Sequence, residues 1–168
     1  FTFGQVGGYS AQALANRSNS ELANSFGNLA QRTLSLIHKN CDGRPPPIYG
    51  HSDADNALFA SLDRVTRQEM PAAYDKLAFA QALESWMGAV YACNAYIDEA
   101  APWALRKTDP ERMQTVLATL YIAIAVLAVA VMPVMPQSMA RLLDAMGLGP
   151  DLRTFEGIWS HWYSPLAE

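Results

Sequence analysis

From Val116 to Met132 the chain runs through seventeen residues, VLATLYIAIAVLAVAVM, without a single charge. As an α-helix, at about 1.5 Å per residue, this run extends roughly 25 Å, short of the ~30 Å hydrocarbon core of a bilayer. Pro133 and Pro136 follow directly, and neither a Lys/Arg cluster nor an aromatic belt flanks it. The run is therefore read as the central helix of a folded domain, covered nearly all round by its neighbours, and not as a membrane span. A helix that must be hidden on every side demands several partners, each with an apolar stripe to lay against it. The 168 residues suffice for about one domain with a single sizeable core. Half of them are apolar and only 17% are charged, which excludes a disordered tail.

The remaining segments supply those partners. SNSE, Ser18 to Glu21, has the Ser-x-x-Glu spacing of a capping box, and Leu22, Phe26, Leu29, Leu36 and Ile37 recur behind it at helical spacing as far as about Asn40. CDGRPPPIYGH then breaks the pattern, because Gly43 and three successive prolines forbid a helix. A second helix is expected from near Ser52 to Glu69, with Leu58, Leu62 and Val65 inward and Pro71 as its stop. A third is expected from about Lys76 to Asp98, with Leu77, Ala80, Leu83, Met87, Val90 and Tyr91 as its apolar stripe and Pro102 closing the following turn. In TDPE, Asp109 caps, Pro110 takes the first helical position and Glu111 sits in the electropositive first turn, so the fourth helix starts there and carries the uncharged run. A fifth, about Pro136 to Met146, ends at Gly147, and the tail TFEGIWSHWYSPLAE is expected to pack over the bundle as turns. No strand alternation persists. The expected fold is all-α, an antiparallel bundle of about five helices spanning residues 17–152, with 153–168 as a tail.

The chemistry of an enzyme is not visible. His38, His51 and His161 fall on a helix end, a loop and the tail, in no H-E-x-x-H or E-x-x-H arrangement, so no metal is expected in this chain. Walker, dinucleotide and nucleophile-elbow motifs are absent, and the adjacent Asp98 and Glu99 point in different directions on a helix. Cys41 and Cys93 are isolated thiols, which fits a reducing, cytoplasmic setting. FTFGQVGGYS has neither an initiator Met nor a signal-peptide pattern and reads as the start of a fragment. The net charge of −4 gives no global attraction to nucleic acid, yet residues 1–44 hold Arg17, Arg32, Lys39 and Arg44 against only Glu21 and Asp42.

One polar face stands out. Asn28 and Arg32 are four apart on the first helix, and Tyr91, Asn94 and Asp98 lie at i, i+3 and i+7 on the third. Trp103 follows just past the third helix's stop. If the two helices are neighbours, these groups converge near one end of the bundle. Amide and guanidinium edges that read bases, an aromatic plane for stacking and a carboxylate that fixes geometry suit single-stranded RNA. The plainer alternative is a solvated helix face with a tryptophan capping the bundle.

The residues LANSFGNLAQR, 22–32, followed by NAYIDEAAPWALRK, 94–107, resemble the C-terminal anticodon-binding domain of bacterial methionyl-tRNA synthetases. That family carries L-A-N-x-x-G-N-L-x-x-R on its first bundle helix and N-x-Y-I-D-E-x-A-P-W at the end of a later one. FGQVGGYS resembles the segment leaving the catalytic domain, which puts residues 1–16 in that role, and the likeness extends over about residues 3–147. The resemblance implies recognition of the CAU anticodon of tRNA(Met) as part of a methionine–tRNA ligase that attaches methionine to tRNA with ATP. It assigns base contacts to Asn28 and Arg32 and stacking on the first anticodon base, cytosine, to Trp103. Asp98 would hold that wall of the pocket, and Asn94 is a further candidate on the same face.

The chain departs from the family at Val6 and Gly8, where acidic residues are more usual, and at Phe26, where leucine precedes G-N. H-I-G-H, K-M-S-K-S and the zinc-binding cysteines are absent, so ATP and zinc would belong to a catalytic domain, the partner of this one, and the chain alone would not activate methionine. Two alternatives remain at this level. One is the anticodon-binding module of another class I synthetase. The other is a docking bundle whose Trp159, Trp162 and Tyr163 contact a protein partner.

Overall fold

A computed structural model describes residues 22–162, with side chains from Asn24 to Ile158. The expected capping box at Ser18–Glu21 and the entry segment lie outside these residues, as do Tyr163 and the side chains of Trp159, His161 and Trp162. Among the described residues every regular element is helical. A π-helical turn, Leu22–Phe26, leads into α1, Gly27–Cys41. α2 is Asp53–Arg64; a second π-turn, Val65–Glu69, joins it to the short α3, Met70–Asp75. α4 spans Phe79–Ala100, α5 is the single turn Pro102–Leu105, and α6 spans Pro110–Val131. α7, Pro136–Ala145, a 3₁₀ turn at Pro150–Leu152 and α8, Phe155–Trp162, complete the description.

α6 is the axis of the bundle and packs against α1, α2, α4, α5, α7 and α8. Its uncharged window is 89% buried inside the protein, although its length and hydropathy would let it cross a membrane. Its buried hydroxyls are hydrogen-bonded, while Gln114 Oε1 is buried without a hydrogen-bond partner. Thr119 Oγ1 donates to Thr115 O at 2.8 Å, the Tyr49 backbone N–H donates to Thr115 Oγ1 at 3.0 Å, and Tyr121 Oη donates to Met146 O at 2.6 Å. Its start is the one read from TDPE: the Asp109 side chain accepts from the Arg112 backbone N–H, and Pro110 and Glu111 occupy the first turn. α7 likewise ends before Gly147, which takes φ +76°.

Three expectations are corrected. Pro71 does not stop the second helix; the π-turn at 65–69 carries the chain on to Asp75. Met70 N–H donates to Val65 O across that wider turn, so the ladder is already shifted where the proline ring arrives and its missing N–H is absorbed. The third helix starts at Phe79, and Leu77, Ala80 and Tyr91 are exposed while Leu83, Met87 and Val90 are buried. Leu77 sits at φ +56°, in the reversal between α3 and α4, so its side chain falls off the helical stripe. The tail forms α8 against α6, with Ile158 fully buried, instead of turns. Gly157 makes this possible, because a Cβ there would lie 2.9 Å from Asp151 O and 3.1 Å from Leu152 Cα.

The fully buried carboxylate of Asp55 ties α2, α4 and α6 together. Arg112 approaches it with both Nη atoms, at 2.7 and 2.9 Å, Tyr96 Oη donates at 2.5 Å, and the Ser52 backbone N–H donates to complete a capping box. Burial alone would raise the Asp55 pKa; the hydrogen bonds from Arg112, Tyr96 and Ser52, with the Arg112 charge, outweigh it and lower the value from 3.8 to about 2. A carboxylate held below its unfolded value stabilises the fold above pH ~4, and that stability is lost as pH falls toward 2. The difference corresponds to about 2 kcal/mol. Urea unfolding at pH 7, 4, 3 and 2 is expected to show this loss concentrated below pH 4, and an Asp55→Asn variant is expected to lack that component.

Candidate nucleic-acid interface

The C-terminal end of α4 lies against the start of α1, and every residue picked out from the sequence meets there. α4 closes at Ala101, whose left-handed φ of +45° and N–H bond to Ile97 O reverse the chain. Pro102 is buried and opens α5, which leaves Trp103 on the outside of that turn, 47% exposed. From α1, Arg32 reaches across: Nη2 is 3.1 Å from Asp98 Oδ1, and the guanidinium carbon lies 5.4 Å from the centroid of the Trp103 ring. One cation thus joins the carboxylate and the aromatic plane on neighbouring elements.

Both partners of this ion pair are largely solvated, with side-chain exposures of 43% and 65%. A pair of that kind is worth only about 0–1 kcal/mol, and an exposed cation–π contact about 0.5–1 kcal/mol. Arg32 is consequently held in place yet can exchange Asp98 for a phosphate or a base edge at small cost. Asn28 stands one turn earlier on α1 and is exposed; its Nδ2 donates to Asn24 O at 2.6 Å. Asn94, half-buried on α4, donates Nδ2 to Val90 O at 3.2 Å.

Between α1 and α4 these side chains border an open groove of about 550 Å³, lined by Asn24, Ser25, Asn28, Gln31, Arg32, Tyr91 and Asn94. Asp98 and Trp103 do not line it, although both contact Arg32, which does. Asn24, Ser25 and Gln31 are additions to the residues expected from sequence. Asn24 had a visible signal, since Asn24, Asn28 and Arg32 repeat every four residues. Tyr91 fell on both the apolar and the polar pattern of its helix, and its 54% exposure decides for the polar one. Among the described residues, no three His, Cys, Asp or Glu side chains gather closely enough to hold a metal ion.

Comparison with known proteins places the chain in a family. Residues 46–157 match the family described as the anticodon binding domain of methionyl tRNA ligase. The methionine–tRNA ligase of Brucella suis biovar 1 is 42% identical over 169 residues, covering 98% of this chain and 31% of that protein. That of Mycobacterium tuberculosis strain H37Rv is 39% identical over 160 residues, covering 93% of this chain and 31% of that protein. In three dimensions, the apo-form crystal structure of Mycobacterium tuberculosis methionyl-tRNA synthetase superposes with a TM-score of 0.80 at 36% identity, over 88% of this chain and 30% of that one. The methionyl-adenylate complex of the same synthetase gives the same values. The chain spans about a third of the length of these relatives. With its all-helical bundle and the α1–α4 surface in place, the chain belongs to the family of methionyl-tRNA ligase anticodon-binding domains.

Proposed function

We propose that this chain reads the CAU anticodon of tRNA(Met) within a larger methionine–tRNA ligase that works in the cytoplasm. The observation that carries this reading is Arg32, which stands over the exposed Trp103 ring while paired with Asp98. A base stacked on Trp103 would meet the guanidinium at its edge, where the fork can donate to base acceptors or to a phosphate. Asn28 supplies an amide on the same helix face, Asp98 keeps the guanidinium oriented until RNA arrives, and Asn94 extends the polar wall along α4. ATP and zinc are assigned to the part of the enzyme outside this chain, together with the activation of methionine.

Trp103→Ala is expected to weaken binding of a CAU anticodon stem-loop by roughly 1–3 kcal/mol, the worth of one base–aromatic stack. Because half of the ring is solvent-exposed, the same change should leave the unfolding midpoint nearly unmoved. Fluorescence titration with CAU and scrambled loops, at fixed ionic strength, measures the first quantity. Equal affinity of wild type and variant for both loops overturns the proposal, and lost stability with unchanged RNA preference would make Trp103 a cap on the bundle.

A further inference from the structure

The stretch from Asp98 to Glu111 brings Asp98 and Trp103 to Arg32, yet it has little hold on the core of its own. Of the described residues 98–111, only Pro102 is buried. α5 is a single turn of four residues, too short to be stable as an isolated helix. The backbone bonds here are local: Ala101 N–H to Ile97 O, Ala104 N–H to Ala101 O and Asp109 N–H to Leu105 O, each 2.9 Å. They set the shape of the stretch. Its orientation is left to Pro102, to the packing of α5 on α6 and to its two ends.

Both ends are bonded to the same carboxylate. On α4, two residues before Asp98, Tyr96 Oη donates to Asp55 Oδ1 at 2.5 Å. In the first turn of α6, Arg112 donates Nη1 to Asp55 Oδ2 at 2.7 Å and Nη2 to Oδ1 at 2.9 Å. The Arg112 backbone N–H also donates to the Asp109 side chain at 3.1 Å, which ties the last turn of the stretch to the same residue. Asp55 is fully buried on α2, which packs against both α4 and α6. A bidentate guanidinium fixes angle as well as distance, so the entry and the exit of the stretch are held at one point. The exposed contact of Arg32 with the Trp103 ring, at 5.4 Å, is too weak to take over that task.

We infer that Asp55 is a positioning residue for anticodon recognition: from the core it holds Tyr96 and Arg112, and through them it sets where Trp103 and Asp98 stand against Arg32. This rests on the anticodon reading above and extends it to a group that touches no RNA. A carboxylate kept for stability alone affects how much protein is folded. One that places the ring also affects how tightly the folded protein binds.

The test is a double-mutant cycle on the full-length protein carrying this chain. Kd for CAU and scrambled anticodon stem-loops is read at a temperature where circular dichroism shows every variant folded. Tyr96→Phe, which keeps the ring and removes one arm of the clamp, should weaken the CAU loop about fivefold, and Asp55→Asn about tenfold, part of the worth of one base stack. In a Trp103→Ala background both losses should shrink to within about twofold, because the ring that the clamp places is gone. Leu143→Ala, a fully buried side chain on α7, should lower the unfolding midpoint and leave CAU affinity within about twofold of wild type. Unchanged CAU affinity in Asp55→Asn, or losses that add in full to that of Trp103→Ala, overturn the inference while the anticodon reading stands. No CAU preference in wild type overturns that reading, and the inference with it.

Discussion

Asp55→Ala is expected to destabilise the folded chain by about 3–5 kcal/mol. The carboxylate has no contact with solvent, whereas the Arg112 side chain retains 26% exposure. Deleting Asp55 leaves a guanidinium that can still turn partly to water but also strips Tyr96 Oη and the α2 cap of their acceptor. Deleting Arg112 is the harsher half of the experiment, because the charge left behind is the one without water. Arg112→Leu should therefore cost at least as much as Asp55→Ala at pH 7, and less at pH 3, where the stranded carboxyl can take up a proton. The double variant should recover much of the loss, since a buried ion pair replaced by apolar groups is often neutral. Denaturant midpoints of the four proteins measure this cycle. Additive single effects would mean that Asp55 and Arg112 do not act as a pair.

This pair also marks a boundary of what the sequence reveals. Local signals were legible wherever cause and consequence are neighbours in the chain. Asp109, Pro110 and Glu111 start α6 as read, Gly147 ends α7, and the uncharged run is buried among helices. Pro71 misled because its effect depends on the π-turn before it, a feature that no residue in VTRQE announces. Leu77 misled because its positive φ is imposed by the reversal between two helices. Asp55 and Arg112 are 57 positions apart, each ordinary in its own segment, and only the packing of α2 on α6 makes them partners. The convergence of Asn28, Arg32, Asn94, Asp98 and Trp103 was legible for a different reason. Helical periodicity placed each group on a face, and one assumption, that the first and third helices are neighbours, brought the faces together.

Trp86→Ala should cost about 3–5 kcal/mol, and its consequence should reach the groove between α1 and α4. Trp86 is the largest side chain in the core, 1% exposed, with Nε1 donating to Leu127 O at 3.0 Å and its ring edge-on to Phe26 at 5.1 Å. It therefore fastens α4 to the axis helix on one side and the π-turn before α1 to both on the other. Phe26 immediately precedes α1, so a cavity in place of the indole removes the support beneath the turn that carries Asn28. Trp86→Phe retains most of the ring contact but loses the hydrogen bond, and about 1–2 kcal/mol is expected for it. Amide hydrogen exchange over residues 27–32 distinguishes local loosening from uniform destabilisation. In Trp86→Ala those amides should lose more protection than amides near the far end of α1, such as those of residues 36–40. A uniform loss, or a cost below about 1 kcal/mol for removing a buried indole, would show that Phe26 and α1 are held by α6 alone. The groove residues would then owe their positions to the axis helix and not to the Trp86–Phe26 contact.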